Sequence, residues 1–458
     1  MGRRVATVGW VVGALLCVLP AVAKGQQGQS GAASPGNSAP ASRISTHAPP
    51  DTPSRAGVPG ATAGITSRAG GQERIRKLSV EVSPRMQRYS TIRYVLLLVS
   101  VLVQLGVLGL ILTRGWSVRL REFAEKHARP LIGQVLLFYP AHTLLVLVLM
   151  LPIAMYSSYL LPHEYGLSTH TLLGWLLDRA KGFGVQVLIG TPLLTLLAWL
   201  LRRQPARWWV WCWLGLIPLS AISVLLAPVL LDPLYNRFTP LPEGPLRQRI
   251  LGLAGRAGIR EGHVFEVDAS RRTRSVNAYV TGLGGTTRIV LWDTLLERLD
   301  EEEALAVMAH EMGHYVERHV LIGLAAGVAG SLLLLFVLDR LVRWVLVRRG
   351  ARWGIRGPGD LAALPLYLAL VAGLNFAASP ATCAVSRTIE ARADAFALRL
   401  VADPRDVASA LIRLSENNLS LPRPPKVVEF WFFSHPPLQD RIDRALEEYA
   451  RRNQMTSR

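Results

Sequence analysis

The chain predicts a polytopic α-helical membrane protein carrying a small α+β domain outside the bilayer, and three observations predict it. Half of the 458 residues are apolar and only 18% are charged, well below the roughly 25% of ordinary soluble domains. The apolar residues gather into six runs of about 19 or more, the length a helix needs to cross a hydrocarbon core of roughly 30 Å. Between the fourth and fifth runs, short β-branched segments precede a strongly helical one. A purely soluble protein and a mainly disordered chain are both excluded.

Residues 1–23 read as a secretory signal. Arg3 and Arg4 form a basic start, Val5 to Val22 an apolar run, and Ala21-Val22-Ala23 a small-residue cleavage pattern, with cleavage expected after Ala23. A run this long also fits an uncleaved N-terminal anchor. Residues 24–91 read as a disordered linker, richest in Gly, Ser, Ala, Pro and Thr up to about residue 75, a composition that cannot bury enough surface to offset ordering entropy.

Residues 92–231 form an N-terminal membrane domain with four spans, 92–113, 132–160, 183–201 and 208–231. Residues 232–458 form a second domain interrupted by two further spans, 320–338 and 361–383. Pro140, Pro152, Pro192, Pro218 and Pro228 fall in or near several spans, which neighbouring helices or a wet cavity can tolerate. The fourteen Lys and Arg residues between 114 and 129, 202 and 207, and 340 and 356 all fall on one side of this arrangement; only Arg179 and Lys181 fall between 161 and 182. The positive-inside rule puts the fourteen in the cytoplasm and residues 232–319 and 384 onward outside it. The formal charge of +19 is therefore assigned to the lipid bilayer as partner, and no nucleic acid is expected. Cys17, Cys212 and Cys383 lie far apart in apolar segments, so neither a disulfide framework nor a Cys-ligated metal site is expected.

Residues 263–268, 276–281 and 287–292 alternate as short strands of a small sheet. A helix follows from about 301, with Asp300 as its cap, Glu303 completing a capping box, and Glu301 and Glu302 complementing the positive end of the dipole. On this helix lies His310-Glu311-Met312-Gly313-His314. Residues four apart stand about 40° from each other, so both imidazoles leave one face and can hold one metal ion. Leu305, Met308, Met312, Tyr315 and Val316 gather on the other face. Catalytic zinc uses three protein ligands and keeps a fourth position for water, beside which Glu311 is placed as general base.

The segment Ser386 to Ala397 supplies the third ligand. Glu390 and Asp394 are spaced i, i+4, and two spans separate Glu390 from His314, so the chain returns to the side it left. Glu390 is assigned to the metal, and Asp394 to orienting a ligand histidine. A surface pair of carboxylates with Arg387 and Arg392 is the plainer alternative, outweighed by the adjacent two-histidine site. His319, at the membrane end of the motif helix, is read as an interfacial residue rather than a ligand.

These motifs, in this order, resemble the Ste24-type zinc metallopeptidases, also called CAAX prenyl protease 1, of peptidase family M48. The resemblance runs from about residue 92 to about 445. It rests on His163-Glu164-Tyr165-Gly166-Leu167 with Thr171, Phe238 to Gly244, Ser275-Val276-Asn277-Ala278-Tyr279, Arg288 to Leu291 with Asp293 to Leu296, the HEMGH segment, Ser386 to Ala397, and Ser434-His435-Pro436-Pro437 with Arg441. It implies a zincin-like HExxH metallopeptidase domain, with membrane helices enclosing a chamber and one zinc ion per chain held by His310, His314 and Glu390. Glu311 would activate water, and Asp394 would orient a ligand or donate a proton. Asn277 would lie in the strand that pairs with substrate, and His435 and Arg441 would contact the peptide backbone. Without the resemblance, His435 before two prolines reads as a turn histidine. The expected substrate is a peptide or protein, lipid-modified and membrane-embedded ones included; the export signal and arginine pattern favour a quality-control protease over a processor of prenylated C termini. A transporter or channel is the rival class, but the spans lack paired charges and an inverted repeat.

Overall fold

The computed structural model describes residues 79–259, 262–282 and 287–457. The expected signal and the linker as far as residue 78 lie outside the described residues. Helix α1 (Pro84–Thr113) begins inside the segment read as linker. Ser83 caps it by accepting from the Met86 N–H at 3.1 Å, and Pro84 sits in its first turn, where a missing N–H costs nothing. Its polar start is held by tertiary contacts: Met86 and Tyr89 pack with Leu161, Tyr165, Leu167 and Leu419, and Ser90 donates to the Leu419 carbonyl at 2.7 Å.

An amphipathic connection, α2 (Trp116–His127), leads to α3 (Leu131–Met155), α4 (Leu172–Arg203) and α5 (Trp208–Leu226). Among the described residues, five helices are long and apolar enough to cross a membrane without interruption. The fourth expected span is broken: Trp208–Val224 and Val229–Tyr235 meet at 57°, next to Pro228, which has no N–H for the helical ladder. The segments carrying the fourteen basic residues meet at one end of the bundle. There Arg121 pairs with Asp360 at 2.6 Å, Arg356 with Glu125 at 2.8 Å, and Arg202 donates to the Gly359 carbonyl at 3.0 Å.

At the opposite end a four-stranded sheet has the order β1–β2–β4–β3. Strands β2 (His263–Val267), β3 (Ala278–Thr281) and β4 (Arg288–Trp292) fall where expected; β1 (Phe238–Pro240) is additional. β2 and β4 run parallel, and β1 and β3 flank them antiparallel. Helices α6 (Pro245–Arg256), α7 (Asp293–Arg298) and α8 (Glu301–Val316) surround the sheet. Ile250, Leu253, Val280, Ile289, Leu291, Met308 and Met312 form one core with later residues such as Leu411 and Ile442. The capping box forms as read, with both Asp300 and Glu303 exchanging side-chain to backbone bonds.

The remaining helices are α9 (His319–Val345), α10 (Leu364–Leu400), α11 (Pro404–Asn417), α12 (Lys426–Phe432) and α13 (Leu438–Thr456). At 1.5 Å per residue, the 37 residues of α10 extend about 55 Å, well beyond the hydrocarbon core. One rigid element is thus both span and site wall. Pro380 lies inside it and releases the Phe376 carbonyl four residues earlier; the Trp431 indole N–H takes that carbonyl at 3.1 Å. Arg387 of α10 donates to the Glu429 and Phe433 carbonyls at 3.2 and 2.8 Å, capping the far end of α12. Short α12 is thereby clamped to α10 just before Ser434 and His435. Replacing Trp431 by Phe keeps the ring and removes the donor, so the purified protein in detergent should lose about 1–3 kcal/mol and melt several degrees lower. Trp344→Phe at an exposed position should leave the melting temperature unchanged.

Candidate metal centre

Helices α8 and α10 cross at the site. His310 and His314 project from α8 with their Nε2 atoms 3.1 Å apart. From α10, Glu390 places Oε2 at 3.2 Å from His310 Nε2 and Oε1 at 3.5 Å from His314 Nε2. A tetrahedral ion with bonds of about 2.0–2.1 Å would separate its ligands by roughly 3.3 Å. The Glu390 carboxylate is fully buried, and neither oxygen finds a hydrogen-bond donor in proper geometry among the described residues. Burying an uncompensated charge is costly. Two imidazole nitrogens and a bare buried carboxylate converging on one point form a group that could hold a metal ion.

Gly313 sets how close the two helices come. A Cβ there would stand 3.0 Å from Phe396 Cβ and 3.2 Å from the Ala393 carbonyl oxygen of α10. A side chain there would force Phe396 or the α10 backbone to give by a few tenths of an ångström, next to the residues that could hold the metal.

The reverse side of His310 is fixed as well. Its Nδ1 lies 2.9 Å from Asp394 Oδ1, and Arg441 of α13 grips Asp394 with two bonds, Nη2 to Oδ1 at 2.6 Å and Nε to Oδ2 at 2.8 Å. Burial by itself lowers the His310 pKa, but the Asp394 and Glu390 carboxylates beside it outweigh burial and raise the ring to about 9. A metal ion bound here would displace that proton.

Glu311 is buried beside His310, with Oε2 lacking a hydrogen-bond partner among the described residues. His435 is about one-third exposed (35%) and puts Nε2 at 3.4 Å from Glu390 Oε2, while its Nδ1 meets Ser434 Oγ at 3.0 Å. Arg441 lies in the same cluster, committed to Asp394. Asn277 immediately precedes β3, and its carbonyl accepts from the Trp292 N–H at 3.1 Å, extending the β3–β4 ladder by one residue. β3 is a sheet edge.

His319 departs from expectation. It is completely buried, with Nδ1 at 3.1 Å from His314 Nδ1 and Nε2 at 3.2 Å from Glu317 Oε2. Arg318, held in a left-handed conformation (φ 54°), breaks the helix and turns His319 in behind His314. The interfacial reading is thereby corrected. The visible signal was the polar Glu317-Arg318 step between two apolar helices.

Gly313→Ala should spread α8 and α10 by a few tenths of an ångström. The expected result is a protein that still folds but binds metal at least tenfold more weakly, measured by competition with a chromogenic chelator.

Comparison with known proteins agrees with this geometry. Residues 240–449 match the profile of peptidase family M48, and residues 73–237 match the profile described as CAAX prenyl protease N-terminal, five membrane helices. The uncharacterized metalloprotease YhfN of Bacillus subtilis (strain 168) is 35% identical over 362 residues, 79% of this chain and 85% of that one. A CAAX prenyl protease 1 homolog of Arabidopsis thaliana is 32% identical over 302 residues, covering 65% and 69%. The crystal structure of S. mikatae Ste24p superposes with a TM-score of 0.62 at 26% identity, covering 73% of this chain and 80% of that one. The chain belongs to peptidase family M48 and is a multi-pass membrane metalloprotease of the Ste24/CAAX prenyl protease 1 group.

Proposed function

We propose that this protease cleaves peptide bonds with a single zinc ion held by His310, His314 and Glu390, and with Glu311 as general base. The observation that carries the proposal is the convergence of two Nε2 atoms and a buried, undonated carboxylate within one small cluster. Zinc bound there supplies a Lewis acid that polarises the scissile carbonyl and acidifies water. Glu311, buried and without a hydrogen-bond partner at Oε2, takes the proton of the attacking water and returns it to the leaving amine. Asp394, anchored by the Arg441 fork, holds His310 by its Nδ1 and directs the opposite nitrogen into the site. That two-pronged anchoring favours an orienting role for Asp394 over proton donation. His435, on the more open side of Glu390, donates to the developing oxyanion, an interaction typically worth about 2.7–4 kcal/mol. Arg441 can turn its remaining nitrogen, Nη1, toward the substrate backbone. The β3 edge beginning at Asn277 receives extended substrate as an added strand.

The substrates are peptides or proteins presented at the membrane. The names of the plant relatives assign them to CAAX prenyl processing. Here the basic segments gather at the end of the bundle opposite the site, which under the positive-inside rule supports a site outside the cytoplasm. That supports membrane-embedded or lipid-modified proteins in quality control over prenylated C termini.

Glu311→Gln should keep bound zinc and lose cleavage by about 10²–10⁴-fold in a peptide assay run with and without chelator; full activity in that variant refutes the general-base assignment. A topology reporter fused after residue 250 should report an extracytoplasmic position, and a cytoplasmic signal there restores the CAAX-type reading.

A further inference from the structure

We infer that Glu317 and His319 form a relay that sets the tautomer of His314 and thereby readies it for metal; this rests on the metal site proposed above. His314 can ligate through Nε2 only if its proton sits on Nδ1. Its Nδ1 faces not a carboxylate or carbonyl, the usual partners of a ligand histidine, but His319 Nδ1 at 3.1 Å. Two facing imidazole nitrogens can bond in either direction, since one must donate and the other accept. Glu317 chooses between them. Its carboxylate stands 3.2 Å from His319 Nε2, off the line of a hydrogen bond, and that negative charge favours the His319 proton on Nε2, so that Nδ1 keeps a lone pair. That lone pair accepts from His314 Nδ1–H and leaves His314 Nε2 bare toward the site. The opposite polarity would put a proton on His314 Nε2 and exclude the ion. Glu317 is itself steadied by Arg399 at 3.4 Å. Neither residue of the relay belongs to the group that could hold the metal, so both are positioning residues.

The test is zinc affinity of the full-length protein in detergent, by chelator competition, together with the visible ligand-field spectrum of the cobalt-loaded protein. His319→Leu, which removes the acceptor, and Glu317→Ala, which removes the director from a partly exposed site, should each weaken zinc by about 10–100-fold and change the cobalt spectrum. His319→Asn, whose amide oxygen can accept near the Nδ1 position, should stay within a few-fold of the parent. Parent-like zinc affinity and cobalt spectrum in a folded His319→Leu protein, or in Glu317→Ala should His319→Leu not fold, overturn the relay. Loss of the metal site itself is recognised separately: if His310→Ala takes up zinc as tightly as the parent, the site assignment falls and the relay with it.

Discussion

The structure depends on one costly act, the complete burial of the Glu390 carboxylate between two imidazole nitrogens. An ionised carboxylate moved from water into a protein interior loses several kcal/mol of solvation even after relaxation. Nothing in the described protein donates a well-formed hydrogen bond to offset that loss. A positive charge beside it offsets the loss, either a proton held on His310 or a metal cation in its place. The close crossing at Gly313, the rigid length of α10 and the ties behind each histidine all hold the carboxylate where that cation can reach it.

A membrane helix serves this purpose better than a loop. Glu390 and Asp394 sit on the extramembrane continuation of a span, so their positions are tied to the packing of the whole bundle rather than to a mobile connection. Sites on regular elements hold their geometry more tightly than sites on loops. The proline within that helix shows how a defect is reused. The carbonyl freed by Pro380 becomes the docking point for Trp431, and the docking fixes the segment that delivers His435. A backbone vacancy inside the helix and a side chain at the site are coupled through one indole N–H.

The parts legible in the sequence are those governed by local periodicity. Two histidines four apart, a Glu and Asp four apart, and an Asp300–Glu303 cap each declare a helix face or a helix start without reference to the rest of the chain. The beginning of α1 was illegible because its first turns are polar and gain their order from Leu419, more than three hundred residues away. β1 was missed because three residues carry too little alternation to declare a strand. His319 was misplaced for a geometric reason. On a continuous helix, five residues advance about 140° around the axis, which points away from His314. Only the left-handed Arg318 brings it back; the polar Glu317-Arg318 step marks a break there, but nothing in a non-glycine residue declares the left-handed turn itself.

Charge accounting also explains why the ion should be divalent. The buried cluster contains the carboxylates of Glu311, Glu390 and Asp394 and the guanidinium of Arg441, a formal balance of two negative charges when His310 and His314 are neutral. A monovalent cation would leave one charge uncompensated in a poorly solvated site, and a trivalent one would overshoot by the same amount. A divalent ion brings the cluster to neutrality, which a low-dielectric surrounding favours over either residual. The proposed chemistry would preserve that balance: water would enter uncharged, and its proton would move to Glu311 without leaving the cluster. Charge is redistributed over a few ångströms while the total presented to the protein interior stays constant. Under the proposed mechanism, that constancy would let hydrolysis proceed without bulk solvent having to reorganise around a newly created ion.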